Sequence, residues 1–186
     1  PADVAPDPVR RWLVLALVTL WAVRLTANWA TGWRGLGHED WRYRDLAART
    51  GAAWPVVSLL GVHLFPTALV YLGCLPLWAA LRSPAPLGLL DVLATAVTLG
   101  AVALELVADL QLRAFAARRA DPLAVMDQGV WAWSRHPNYL GELGFWLGLY
   151  LFALAAGAPW TGIGFAAMVA PSMTDLFAST TWCPAI

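Results

Sequence analysis

Five apolar runs, Trp12 to Ala30, Trp54 to Leu81, Leu87 to Leu112, Tyr139 to Gly157 and Trp160 to Phe177, set what this chain can become. Each is close to the ~20 residues that a helix needs to cross about 30 Å of hydrocarbon. Lipid offers the backbone no hydrogen-bond partner, and the alternating pattern of a barrel strand is absent, so these runs must be helical. The expected fold is all-α: a polytopic membrane helix bundle of about five transmembrane helices, forming a single membrane domain over residues 1–186. Composition agrees, since 60% of the residues are apolar and only 13% charged, against the quarter charged that is usual in soluble domains. The polar segment 1–11 reads as a trimmed start. The run after it is a span and not a leader, because it is too long for the apolar core of a signal peptide. The atypical tail 178–186 has no basic or helical continuation.

Two polar connections, 31–53 and 113–137, are too large to be turns, and five alternating spans put both on one side. That side collects Arg34, Arg42, Arg44, Arg49, Arg113, Arg118, Arg119 and Arg135, whereas the opposite side has Arg10, Arg11 and Arg82. The positive-inside rule therefore places both connections in the cytoplasm.

Several chemistries are excluded by what is missing. Every basic residue is Arg, and without Lys neither a P-loop nor a pyridoxal enzyme is available. Net charge is zero and no basic run exceeds a pair, so nucleic acid is not an expected partner. Cys74 and Cys183 form no CxxC pair. His38, His63 and His136 are far too few for a membrane di-iron enzyme, so no metal is expected. Gly32, Gly35 and Gly37 have the wrong spacing for a dinucleotide fingerprint and read as turn residues.

The polar residues inside the spans carry the functional signal. In the third span Asp91, Thr95, Thr98, Glu105, Asp109 and Arg113 recur at the spacing of one helical face. A carboxylate near the bilayer centre costs ~2.5 to 3.5 kcal/mol, so Glu105 and Asp109 should face the bundle interior or a wet cavity. Alternatively, Asp109 and Arg113 form a local i,i+4 pair while Glu105 accepts from a backbone or indole N–H. Asp91, near the far end of the span, reads as interfacial. In the first span Arg24, with Asn28 one turn later, must snorkel to the headgroups or meet an anion. An anionic ligand entering from the cytoplasmic side would account for both Arg24 and the acidic stripe.

The third cluster is WAWSRHPNYLGELGFWLG, from Trp131 to Gly148. Pro137 suits a first helical turn, with Arg135 and His136 held extended before it. Asn138 and Glu142 are i,i+4 neighbours with Tyr139 adjacent, and Gly141, Gly144 and Gly148 form a smooth ridge for close helix packing. A helix start near Arg135, Arg118 and Arg119 is suited to phosphate.

SRHPNYLGE, preceded by ADLQLRAF and by the GLGHEDWRYRDL loop, resembles the membrane steroid 5-alpha-reductase superfamily, in particular its bacterial branch. The three motifs cover roughly Trp21 to Tyr150, although RHPxYxG alone is shared with isoprenylcysteine methyltransferases. The resemblance implies a seven-helix fold in a bacterial inner membrane, with NADPH in a cytoplasmic-side cavity and an apolar enone, a steroid-like or other lipid molecule, in a lipid-accessible one. The implied reaction is hydride transfer to the carbon beta to a carbonyl, followed by protonation of the alpha carbon. Position by position, Asp109 and Arg113 match the cofactor-holding helix, and Glu105 falls where that family often has a polar residue. Asn138, Tyr139 and Glu142, with Arg135 and His136 before them, match the segment that holds the nicotinamide half. Arg24, Asn28 and Arg34 match the segment that reaches the phosphates. No catalytic proton donor is nominated. The resemblance also implies two further helices before this segment and a basic, aromatic tail after it, so the chain is expected to be truncated at both ends. Two alternatives remain open: an S-adenosylmethionine-dependent methyltransferase of the isoprenylcysteine type, and a truncated bundle without catalysis.

Overall fold

The computed structural model describes residues 7–33, 35, 37, 41–119, 121 and 124–178, the last eight as backbone only. Most of the 1–11 segment and all but the first residue of the 178–186 tail lie outside the described residues. Among the described residues there is no strand, and the architecture is a helix bundle. Helix α1 (Pro8–Gly32) starts on Asp7, whose carboxylate accepts from the backbone N–H of Val9 at 2.8 Å, with Pro8 at the first helical position where no N–H is needed.

A second helical stretch runs from Trp41 to Arg82 and is interrupted rather than straight. It comprises α2 (Trp41–Thr50), a 3₁₀ turn Gly51–Ala53, α3 (Trp54–Val57), a π-helical segment Ser58–Leu64, α4 (Phe65–Gly73) and α5 (Leu75–Arg82). Prolines at the start of α3, α4 and α5 account for the breaks, because each removes an N–H from the ladder. Before Pro66 the winding widens, so that the Phe65 N–H reaches the Leu60 carbonyl. Then follow α6 (Leu89–Arg118), a 3₁₀ turn Gly129–Ala132, α7 (Pro137–Ala155) and α8 (Gly162–Ala178).

Three of these stretches, Pro8–Gly32, Trp41–Arg82 and Leu89–Arg118, are long and apolar enough to cross a membrane. The protein is therefore a membrane protein, but the expected five spans are not all of one kind. Helix α7 has 19 residues and carries Asn138 and Glu142 in its opening turns, and the apolar part of the last span is the shorter Pro159–Ala170. The boundaries of the polar connections also differ from expectation. Ten residues of the 31–53 connection form α2, and α6 continues through Arg118 into the 113–137 connection.

Helices α1 and α6 run parallel, and α7 runs antiparallel to α6. At one end the Asp7 N–H donates to the Ser83 carbonyl at 3.0 Å and the Ser83 hydroxyl reaches the Ala156 carbonyl at 3.4 Å. At the other end Asn28, Arg113 and the start of α7 gather. The α6–α7 seam follows the glycine ridge. A Cβ at Gly144 would sit 3.0 Å from the Ala101 Cβ, and one at Gly148 would sit 3.1 Å from the Thr98 Cβ. The core is thin: Val14, Leu17, Ala80, Ala94 and Phe152 near one end, and Ala101, Val102, Phe145, Trp146 and Leu149 at mid-depth. Large apolar side chains on α1 and on α3 to α5 point outward, as they do where the solvent is lipid.

Candidate functional site

Two buried ionic clusters tie α1 to α6. The first is Arg10 with Asp91, fully buried and bidentate, with Nε–Oδ1 at 2.7 Å and the second nitrogen donating to Oδ2 at 2.8 Å. Arg10 also donates to the carbonyls of Ala85 and Pro86, and Asp91 accepts the Gly88 N–H at the start of α6. Every strong group there is satisfied. Asp91, in the first turn of α6 near the end of the span, is the core of a structural clamp.

The second cluster lies nearly four turns along both helices and gathers the expected residues. Arg24 forks onto two carboxylates, pairing with Glu105 and donating to Asp109 at 2.9 Å. Arg113 donates to the Asn28 carbonyl at 2.7 Å and to the Asn28 side-chain oxygen. The acidic stripe therefore faces α1 and spends its charge across the helix interface, and Arg24 is held by carboxylates instead of standing open. From α7, Gly141 lets the first turns approach closely, since a Cβ there would come 2.9 Å from the Ala101 carbonyl and would overlap the Glu105 side chain. Glu142 follows on the same helix and accepts from the Trp146 indole N–H at 2.8 Å. Behind these groups stands an aromatic wall. Trp21 stacks on Phe145 with centroids 4.4 Å apart, and Trp146 meets both rings edge-on.

Four buried polar atoms have no hydrogen-bond partner among the described residues: Trp21 Nε1, Arg24 Nε and Glu105 Oε1 on the facing turns of α1 and α6, and Asn138 Oδ1 in the first turn of α7. Their burial is deep, with only 8% of the Arg24 side chain and 2% of the Glu105 side chain exposed. An unsatisfied buried donor or acceptor costs ~1 to 3 kcal/mol, so each of these atoms calls for a partner, either a water or a ligand.

Most of the other expected residues lie at the start of α7 and just before it. His136 stacks on Tyr139 with centroids 5.3 Å apart, Tyr139 is partly exposed, and Arg135 is exposed. Arg34 falls outside the described residues. Beyond the cluster, the end of α6 and the following loop enclose a cleft of about 460 Å³ lined by Gln111, Phe115, Arg118, Arg119, Gln128 and their neighbours. The loop docks through the Val130 N–H on the Gln111 side chain at 3.0 Å and the Trp131 indole on the Ala108 carbonyl at 3.1 Å. Gly129, with φ of +61°, is the residue that permits this approach, since a Cβ would lie 2.7 Å from the Gln111 Cδ.

Sequence reasoning missed Trp21, Trp146 and Gln111. Trp21 had a usable signal, because it lies three residues before Arg24 and so shares its helical face.

The chain is similar to the uncharacterized protein C594.04c of Schizosaccharomyces pombe, with 29% identity over 170 residues. That alignment covers 79% of this chain and 49% of the relative, so the chain spans about half the length of the curated relative it matches. No solved structure matches the chain significantly. The family described as "Protein of unknown function (DUF1295)" matches residues 4–181. The chain belongs to the DUF1295 family.

Proposed function

We propose that this protein is a membrane-embedded, NADPH-dependent reductase that transfers hydride to the C=C bond of an apolar enone, such as a 3-oxo-4-ene steroid or a related lipid. The family includes steroid 5-alpha-reductase-like proteins. One observation carries the proposal: the unpartnered atoms are two donors, Trp21 Nε1 and Arg24 Nε, and two acceptors, Glu105 Oε1 and Asn138 Oδ1. That set is the complement of a primary carboxamide, whose oxygen accepts two hydrogen bonds and whose NH₂ donates two. NADPH carries such a group on its nicotinamide ring and, when bound, supplies the hydride.

The chain's own residues then divide the work. Glu105 and Asn138 would receive the amide N–H groups, Trp21 and Arg24 would hold its oxygen, and the Trp21, Phe145 and Trp146 rings would keep water from the reacting face. Asp109 and Arg113 fix Arg24 and Asn28 in place. Arg118 and Arg119, in the cleft at the end of α6, suit the phosphates as bidentate donors. The arginine-rich end faces the cytoplasm in this proposal, so the nucleotide enters from the cell interior.

An S-adenosylmethionine-dependent methyltransferase is the second reading, favoured by one observation: the inner cluster holds Glu105, Asp109 and Glu142 against Arg24 and Arg113, a carboxylate surplus that suits a sulfonium.

Thermal unfolding in detergent, with NADPH, NADH and S-adenosylmethionine in parallel, separates the two. A ligand at a hundred times its dissociation constant adds ~2.7 kcal/mol. Stabilisation by NADPH is expected, and Arg113→Ala and Asn138→Ala should each abolish it while leaving the protein inserted. Stabilisation by S-adenosylmethionine alone would reverse the assignment.

A further inference from the structure

The inner cluster gathers three carboxyl groups and two guanidiniums. On α1 it has Arg24; on α6 it has Glu105, Asp109 and Arg113; on α7 it has Glu142. Arg24 serves Glu105 and Asp109 together, and Arg113 is turned to Asn28 one turn further along α6. Among the described residues no guanidinium is bonded to Glu142, whose observed partner is the neutral Trp146 indole. Meanwhile Glu105 keeps one oxygen buried and unpartnered. Three aromatic rings pack against the same turns of α1 and α7, and carboxylates beside aromatic rings are the usual setting for a delocalised or onium cation.

We infer that this cluster selects the cationic form of its ligand's reacting group: it discriminates by charge at the reacting end, binding the positively charged member of a ligand couple in preference to its neutral counterpart. This rests on the proposed nucleotide site and deepens it, because both candidate ligands change charge when they react. The nicotinamide ring is neutral in NADPH and cationic in NADP⁺. The sulfur is cationic in S-adenosylmethionine and neutral in S-adenosylhomocysteine. The surplus carboxylate thus favours the spent form of the first couple and the charged form of the second. Glu142 is the residue that sets the preference. It acts on charge alone, since its hydrogen bond to Trp146 would survive replacement by the isosteric amide.

Calorimetric or fluorescence titration of the intact detergent-solubilised protein with both members of each couple tests this. The cationic member of whichever couple binds should bind roughly tenfold tighter or more, and Glu142→Gln should shrink that ratio toward one by weakening the cationic member only. Equal affinities in the unmodified protein, or an unchanged ratio in Glu142→Gln, would overturn the inference while leaving a nucleotide site in place. Should neither couple bind, the proposed site fails and this selectivity with it. A Glu142→Gln protein that unfolds at the same temperature as the parent excludes a trivial loss of structure. If it unfolds earlier, the ratio of the two affinities is still read, because a folding defect weakens both members alike.

Discussion

At the residue scale, the two ionic clusters behave differently when perturbed. Arg10 and Asp91 are mutually satisfied and nearly four turns from the second cluster, so their role is structural. Removing one partner leaves a buried charge uncompensated, which typically costs ~3 to 5 kcal/mol. Asp91→Ala should therefore lower the thermal unfolding temperature sharply, whereas Arg10→Met combined with Asp91→Leu should recover much of the loss. A double-mutant cycle followed by unfolding in detergent checks both outcomes. The stripe of Glu105, Asp109 and Arg113 was legible because carboxylates in an apolar run stand out and their spacing marks a face. The identity of their partners was not legible, since the register between α1 and α6 is set by packing and leaves no trace in local spacing. The same limit hid the Arg10–Asp91 pair, whose members are 81 positions apart and each sit near a helix end where a charge needs no explanation. Trp21 was overlooked for another reason. In a chain with 12 Trp, an indole in a membrane span reads as apolar filler, and its N–H declares itself only once it is buried without a partner.

At the element scale, the α6–α7 seam depends on absent side chains. Gly141, Gly144 and Gly148 bring the α7 backbone against Glu105, Ala101 and Thr98. Overpacking typically costs ~1 to 3 kcal/mol, so Gly148→Ala should destabilise the bundle, because its new methyl would press on the buried Thr98, which itself bonds the Ala94 carbonyl at 2.7 Å. Gly100→Ala is the matched control: nothing lies within 4 Å of its would-be Cβ, and replacing a helical glycine by alanine should be neutral or favourable by up to ~1 kcal/mol. Comparing the two unfolding midpoints decides it. This ridge could be read from the sequence, as could the start of α7 at Pro137. The number of true spans could not, because hydropathy does not say whether polar opening turns such as those with Asn138 and Glu142 belong to the membrane or to a site within it.

At the scale of the whole molecule, the helix directions put Asp7, Ser83 and Ala156 at one end and Asn28, Arg113 and Gly129 at the other. The arginine-rich end should be the cytoplasmic one. Two exposed positions at opposite ends suffice to test this: Trp133, 93% exposed, and Arg82, at the end of α5. In a background lacking the native cysteines, Trp133→Cys should react with an impermeant maleimide only after the inner face is opened, and Arg82→Cys should react in intact cells. The reverse pattern would invert the topology and place the arginine-rich end outside.

The fourteen-residue interval from Arg10 to Arg24 on α1 matches that from Asp91 to Glu105 on α6, so two rungs about 21 Å apart join parallel rails. Sliding one rail by a turn would tear both rungs at once. The pair is thus a stator: any movement that opens the bundle without breaking both rungs must swing the remaining helices around it.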